Sequence, residues 1–128
     1  DDFNADNAKI DAALAGLDDR ADTIAASVPD IRFGSYTGDD VNGRVIHLGY
    51  TPKAVLLMIS NGRTFIGAVP SLGGGLFFQG HPLAHDHGTR IAAEIVEGGF
   101  KVYAAFESGN YNIYTNNSGE TYYYLTIS

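Results

Sequence analysis

The sequence predicts a mostly β protein in which an N-terminal coiled-coil helix, residues 1–29, precedes an antiparallel β-sandwich or small barrel, residues 30–128. Apolar residues recur every seven positions in the first thirty residues, as in a coiled coil. Beyond residue 30 the apolar period changes to two, and turn signals recur. The chain also has 16 glycines, eight tyrosines and seven phenylalanines, a composition typical of β structure with tight turns.

The predicted helix carries its apolar residues on a narrow stripe. One heptad series is Asn7, Leu14, Ala21 and Val28, and the other is Phe3, Ile10, Leu17, Ile24 and Ile31. We expect Asn4 to cap the start of the helix, and Pro29 to prevent its continuation past Val28. A stripe this narrow favours association between helices, whereas the alternative is a single amphipathic helix packed on its own domain.

Charge and composition exclude several classes of function. The net charge is −7, and residues 1–30 hold most of it, with eight Asp against Lys9 and Arg20. The sequence has no basic stripe, which argues against nucleic acid as a partner. It has no apolar run of membrane-spanning length, and without cysteine it has neither a disulfide framework nor a thiolate site.

The β region contains several predicted turns and strands. Asn61-Gly62 lies between two apolar runs and predicts a hairpin, and Gly98-Gly99 predicts a second hairpin in the same way. The run AVLLMI, residues 54–59, is apolar on both faces and predicts a central strand. In the last strand one face, containing Tyr122 and Tyr124, is rich in tyrosine and could meet a neighbouring chain. The predicted strands are residues 31–37, 44–48, 53–60, 63–69, 76–79, 89–97, 100–106, 111–115 and 121–127.

A helical stalk that leads directly into a Gly- and Tyr-rich β domain resembles the C-terminal tip of bacteriophage tail-fibre and receptor-binding proteins. Three stretches carry this resemblance: DDFNADNAKIDAALAGL, FGSYTGDDVNGRVIHLGYTPKAVLLMIS and NNSGETYYYLTIS. The resemblance implies a homotrimer in the virion, at the distal part of the phage tail, with the stalk towards the particle. The trimer contact would then be formed by Phe3, Ile10, Leu14, Leu17, Ile24 and Val28.

A histidine-rich segment lies in the middle of the β region. In His85-Asp86-His87 the two imidazoles alternate along the chain, so that both point the same way if the chain is extended. Around a threefold axis three such pairs could form an octahedral site for a divalent transition metal. The resemblance suggests this site, because some long tail fibres use His-X-His motifs, although theirs recur along the stalk. The alternative is a solvated loop whose His and Asp side chains make local hydrogen bonds.

Two segments are candidates for a receptor-binding surface. The connection around residues 69–90 holds three consecutive glycines and an aromatic pair that could offer a stacking surface, unless the rings are core residues. Residues 107–119 combine Tyr, Asn, Ser and Gly, as adaptable binding loops do, although a turn-rich hairpin would have the same composition. The candidate residues are Phe77, Phe78, His81, Tyr111, Asn112, Tyr114, Asn116 and Asn117.

Other chemistry has weaker support in the sequence. Asp39, Asp40 and Asn42 could hold calcium through their oxygens, but the segment lacks the dense alternating carboxylates of a dedicated calcium loop, which favours a plain turn. The sequence lacks a nucleophile elbow, a phosphate-binding loop and a His-Glu metal motif, so we expect no enzyme and no cofactor apart from the metal considered above.

The sequence and the resemblance together predict a non-enzymatic adhesin. Its loops would bind a glycan or protein on the bacterial surface, without membrane insertion, and its stalk would join other phage tail proteins. One alternative is a structural baseplate or fibre connector, whose β domain docks another virion protein. A glycan-cleaving tail enzyme is the second alternative.

Overall fold

A computed structural model describes residues 2–66, 71–85, 90–105 and 113–128. It contains one α-helix and twelve β-strands in these ranges. The elements are α1 Asp2–Ser27, β1 Ile31–Thr37, β2 Arg44–His47, β3 Ala54–Ile59, β4 Phe65–Ile66, β5 Ser71–Leu72, β6 Gly75–Phe78, β7 Leu83–His85, β8 Arg90–Val96, β9 Gly99–Val102, β10 Ala104–Ala105, β11 Ile113–Tyr114 and β12 Thr121–Ile127.

Helix α1 is exposed along its whole described length. It begins at Asp2, so Asn4 lies within its first turn and is not the predicted cap. It ends at Ser27, where the Val28 amide still bonds to the Ile24 carbonyl and Pro29 follows. Apolar positions stay open to solvent, and Phe3 is 70% exposed. The helix therefore does not bury its apolar stripe against its own β region. In the part of the chain that is described, no helix is both long and apolar enough to cross a membrane.

The strands form three four-stranded sheets. Sheet A has the order β1-β12-β3-β6, and sheet B has the order β2-β9-β8-β7; both are antiparallel throughout. Sheet C has the order β10-β11-β5-β4 and includes one parallel pairing, between β11 and β5. The predicted antiparallel sandwich therefore describes sheets A and B, and sheet C is an addition to it.

The hydrophobic core lies between sheets A and B. Phe100 of sheet B is fully buried and makes edge-to-face contacts with Tyr36, Phe77 and Tyr124 of sheet A, at centroid distances of 6.1, 6.0 and 5.2 Å. Such contacts add to the stabilisation from burial itself. The other buried core residues are Ile46, Val55, Leu57, Ile59, Ala93, Val102 and Tyr122.

The tyrosine-rich face of β12 belongs to this core, so it is not a surface for a neighbouring chain. Tyr122 and Thr126 are fully buried, whereas Tyr123 on the opposite face is 48% exposed. The inward hydroxyls find partners: Tyr122 donates to the Tyr114 carbonyl, and the Tyr50 hydroxyl lies 2.7 Å from that of Thr126. Satisfied hydroxyls are the condition under which tyrosine is readily buried.

The hairpin predicted at Asn61-Gly62 forms its turn, but the strands on either side of the turn do not pair with each other. The turn forms, with Gly62 at φ 82° and the Ile59 amide bonded to the Arg63 carbonyl. However, β3 already pairs with β12 on one side and β6 on the other, so it offers no free edge. As a result β4 pairs with β5 in sheet C, and β5 and β7 are strands that the sequence did not predict. By contrast, β8 and β9 form the hairpin predicted near Gly98-Gly99, and β3 is a central strand as expected.

Side chains along each strand of sheet A point alternately to two faces of the sheet, and these two faces have different surroundings. The inward face contacts sheet B, and the other face, called here the outer face of sheet A, carries exposed side chains that include Phe33 and Leu76. Cross-strand registers place its residues in rows. The first row is Ile31, Ile127, Ala54 and Phe78, and the second is Phe33, Leu125, Leu56 and Leu76. Both rows are apolar at every position.

Candidate functional site

The strands of sheet A define two ends of the β region. The proximal end is where α1 leads into β1, at Ile31 and its partner Ile127. The distal end is where β1 finishes at Thr37, opposite Thr121. Three described loops meet at the distal end, and they are rich in Asn, Asp, Ser and Gly. These distal loops are residues 38–43, 60–64 and 115–120.

Asn116 joins two of the distal loops from a fully buried position. Its side-chain nitrogen donates to Asp39 Oδ1 at 2.6 Å and to the Val41 carbonyl at 3.0 Å, and its oxygen accepts from Arg44 Nη1 at 3.2 Å. The Asn116 carbonyl also accepts from the Asp40 amide at 2.9 Å. A buried amide whose groups are all bonded fixes the chain around it, because breaking any one bond leaves a polar group without water.

Close backbone contacts reinforce this connection. The Gly38 amide donates to the Glu120 carbonyl at 2.8 Å, and a Cβ atom at Gly38 would lie 1.9 Å from the Asn117 carbonyl oxygen. Only glycine fits so close an approach. Asp40 adopts a left-handed conformation at φ 64°, and its carboxylate accepts from the Ser118 amide at 2.7 Å.

The distal loops also carry charge that their hydrogen bonds hold in place. The Asn116 side chain, the Val41 amide and Arg44 lower the pKa of the Asp39 carboxyl from its usual value, so it is ionised at neutral pH. Arg44 Nε lies 3.6 Å from Asp39 Oδ2, and its Nη1 donates to the Thr37 carbonyl at 2.7 Å. The outcome is an exposed carboxylate and a guanidinium in a fixed relative position.

Below these loops, buried hydroxyls connect them to the core. Tyr36 donates to the Thr115 carbonyl, and the Thr115 hydroxyl donates to the Ala92 carbonyl of sheet B at 2.6 Å. Burial raises the pKa of Tyr36 well above its usual range, and that of Tyr122 to about 12. Both hydroxyls therefore remain protonated donors at neutral pH, which keeps the loops tied to the sheets.

The predicted receptor-binding residues do not form one cluster. Tyr114 and Asn117, both half-buried, lie at the distal end, whereas the exposed Phe78 and His81 lie at the proximal end, opposite Ala54. The two ends of sheet A are about 17 Å apart, as estimated from the length of β3 at roughly 3.3 Å per residue. Tyr111 and Asn112 lie outside the described residues.

Two of the residues predicted to lie on the receptor-binding surface are buried in the structure. Phe77 is 0% exposed because its ring packs on Phe100 between the sheets, and only Phe78 of the aromatic pair faces outwards. Asn116 is also 0% exposed, since its amide is used entirely within the protein. A ligand at the distal end would meet the residues that Asn116 holds, not Asn116 itself.

The structure gives little support to the predicted metal-binding residues. His85 is half-buried on β7, and His87 lies outside the described residues. The Asp39 carboxylate accepts from the Val41 amide and the Asn116 side chain, and the Asp40 carboxylate accepts from the Ser118 amide. Within the described ranges no group of three or more His, Asp or Glu side chains could hold a metal ion.

The distal loops can present hydrogen-bond donors and acceptors to a polar ligand. The exposed or half-buried groups are Asp39, Asp40, Asn42, Arg44, Asn61, Asn117 and Ser118. Sequence reasoning missed Arg44 and the buried Thr115. Arg44 bonds to Asn116, which is more than seventy positions away in the chain, and Thr115 bonds to a carbonyl of sheet B, so no local pattern indicates either role. The only sequence signal was the clustering of Asn, Asp and Gly in two separate segments.

Comparisons with known proteins do not assign this chain to a family. No family model matches it, and it matches neither a curated protein nor a solved structure.

Proposed function

We propose that this protein is a non-enzymatic adhesin, the homotrimeric tip of a phage tail fibre, whose distal loops bind a receptor on the bacterial surface. One observation carries the proposal: polar loops gather at the end of sheet A away from the helix, and a buried asparagine joins two of them. Binding residues concentrate on loops held by a rigid sheet. A preorganised surface binds with less loss of conformational freedom than a loose one.

The groups on the distal loops favour a glycan as the receptor. Carboxylate, guanidinium and amide groups in fixed positions match the hydroxyls of a sugar, and Tyr114 adds a partly exposed ring. Each site would bind weakly, because it is shallow and polar. Several copies on one stalk would multiply that affinity by avidity, provided that their sites can be engaged together.

The exposed helix supports the oligomeric part of the proposal. An amphipathic helix of 26 residues that buries nothing on its own domain is marginal in water and is stabilised by packing its apolar stripe. Association through Phe3, Ile10, Leu14, Leu17, Ile24 and Val28 would provide that packing.

The test compares variants at the two ends of the β region. Labelled protein is incubated with a panel of bacterial strains, and bound label is measured with and without extracted surface polysaccharide as competitor. For Asn117→Ala and Asn42→Ala, at the distal end, we expect reduced binding. His81→Ala, at the proximal end, is the matched control and should bind as the unmodified protein does.

Three results would contradict the proposed function or its site. Equal loss at His81 and at the distal positions would show that the receptor surface is not confined to the distal loops. Absence of binding to every strain, combined with binding to purified virion proteins, would favour the connector alternative. A fall in polysaccharide viscosity during the incubation would favour the enzyme alternative.

A further inference from the structure

The outer face of sheet A is an unusual surface for a protein exposed to water. Phe33 is 79% exposed, Leu76 is 54% exposed and Phe78 is 47% exposed. Between these edge residues, Leu56, Leu125 and Ile127 are only partly covered by their neighbours on the sheet. One side of a sheet in water normally alternates to polar residues. This sheet instead has two rows of apolar residues on its outer side as well, and an exposed apolar patch of this kind is typical of an interaction surface.

The face continues the apolar stripe of the helix. Ile24 and Val28 close the stripe on α1, and Ile31 follows three residues later as the first residue of the outer face. All three side chains are at least half exposed. The stripe and the outer face therefore follow one another directly along the chain where the helix leads into sheet A.

The combined area is that of a protein–protein interface. The two apolar rows cross four strands and cover about 19 Å by about 13 Å, or roughly 250 Å². The exposed side of the 26-residue helix adds a strip about 39 Å long and about 10 Å wide. Either surface alone is no larger than the largest apolar patch on a typical monomer. Together they approach the roughly 800 Å² per partner of a standard specific interface.

Charge favours another copy of the same chain as the partner. The protein has a net charge of −7, so copies repel each other at most approaches. The strand positions on the outer face carry no charge: besides the two apolar rows they hold Ser35, Thr37, Thr121, Tyr123 and Met58. This face is thus one where two acidic copies can meet without placing like charges together.

We infer that the outer face of sheet A packs against another copy of this chain, so that the β regions associate as well as the helices. This interface deepens the proposed function, which requires only the helices to associate. It would hold the distal loops of neighbouring copies at a fixed spacing, since the sheets that carry them would be in direct contact.

The experiment measures the mass of the full chain by sedimentation equilibrium over a range of concentrations. Phe33→Asp and Leu76→Asp place a charge at opposite edges of the outer face, and both positions are exposed, so the fold of the chain should tolerate them. Phe65→Asp is the matched control, because Phe65 is a phenylalanine of similar exposure, 54%, on β4 of sheet C. Circular dichroism checks that each variant is folded.

We expect the unmodified chain to sediment at a multiple of 13.7 kDa. Each outer-face variant should raise the dissociation constant about tenfold or more, the effect of losing roughly 1.4 kcal/mol of binding free energy. Phe65→Asp should leave that constant unchanged. A charge in the helix, Leu17→Asp, separates this inference from the association that the proposed function needs.

Each contrary outcome has a definite meaning. If Leu17→Asp dissociates the assembly while Phe33→Asp and Leu76→Asp associate as tightly as the unmodified chain, the inferred sheet interface is wrong and the helical association stands. If only the outer-face variants dissociate, the inferred interface stands without the helical seam. An unmodified chain that stays at 13.7 kDa, with the helix folded over its own sheet, overturns both.

Discussion

Sheets A and B share one core, yet their outward faces follow opposite rules. On the outside of sheet B, Lys101 lies beside Glu94 in register, and Glu94 accepts a hydrogen bond from the Tyr103 hydroxyl. On the outer face of sheet A two rows contain only apolar side chains, and the remaining strand positions are uncharged. The inward faces are alike in both sheets, so the core does not require this difference. The difference supports the inferred association of copies through the outer face of sheet A.

The largest effect should come from the core that both sheets share. Phe100→Ala removes the ring that contacts Tyr36, Phe77 and Tyr124, and burial of an aromatic ring of this kind contributes about 3–5 kcal/mol to the free energy of unfolding. Urea unfolding at fixed protein concentration, followed by circular dichroism, measures the loss. A loss below about 1 kcal/mol would mean that the two sheets do not depend on a common core.

The inward tyrosines should make the protein sensitive to alkali. Burial raises the pKa of Tyr122 to about 12 and that of Tyr36 further, whereas an unfolded tyrosine titrates near 10.0. Because the folded state holds these protons longer, stability is complete below about pH 10 and falls as the pH rises towards 12. Unfolding midpoints across this range, with tyrosinate absorbance as a second signal, test the prediction. Constant midpoints between pH 10 and 12 would contradict it.

The stability that the distal loops contribute should depend on the side chain of Asn116 and not on that of Asn117. Asn116→Ala leaves Asp39 and Arg44 without their buried partner and should lower the free energy of unfolding by about 1–3 kcal/mol. The control is Asn117→Ala, because among the described residues Asn117 bonds through its main chain, by its amide to Tyr122 and its carbonyl to the Glu120 amide; this change should cost less than about 0.5 kcal/mol. Equal losses at the two positions would show that Asn116 does not join the loops.

The smallest effect should be on the outside of sheet B. Tyr103→Phe removes the hydroxyl that donates to Glu94 and should cost about 1 kcal/mol or less, because this face is partly solvated. Burial and the Glu94 carboxylate raise the pKa of Tyr103, consistent with a protonated donor. Sedimentation should show no change in mass for this variant. A change in assembly would mean that sheet B, too, contacts another copy.

The sequence predicted those elements whose signals are local. β1 and β12 have the predicted bounds, because alternation is clear and turns flank both strands. Strand pairing was less predictable: the turn at Gly62 formed, but the ladder between its flanking runs did not, since β3 had two other partners. The distal site depends on contacts between residues near 40 and near 116, which no local pattern encodes. The apolar outer face was visible only once cross-strand register was known.

Met58 gives the outer face of sheet A a natural chemical reporter. It is the chain's single methionine, and it lies opposite Tyr123 on that face, only partly covered by its neighbours. Peroxide converts an accessible thioether into a sulfoxide, and one oxygen atom is readily weighed on the intact protein. Dilution of an assembled sample should therefore accelerate this oxidation, with no substitution needed to observe it.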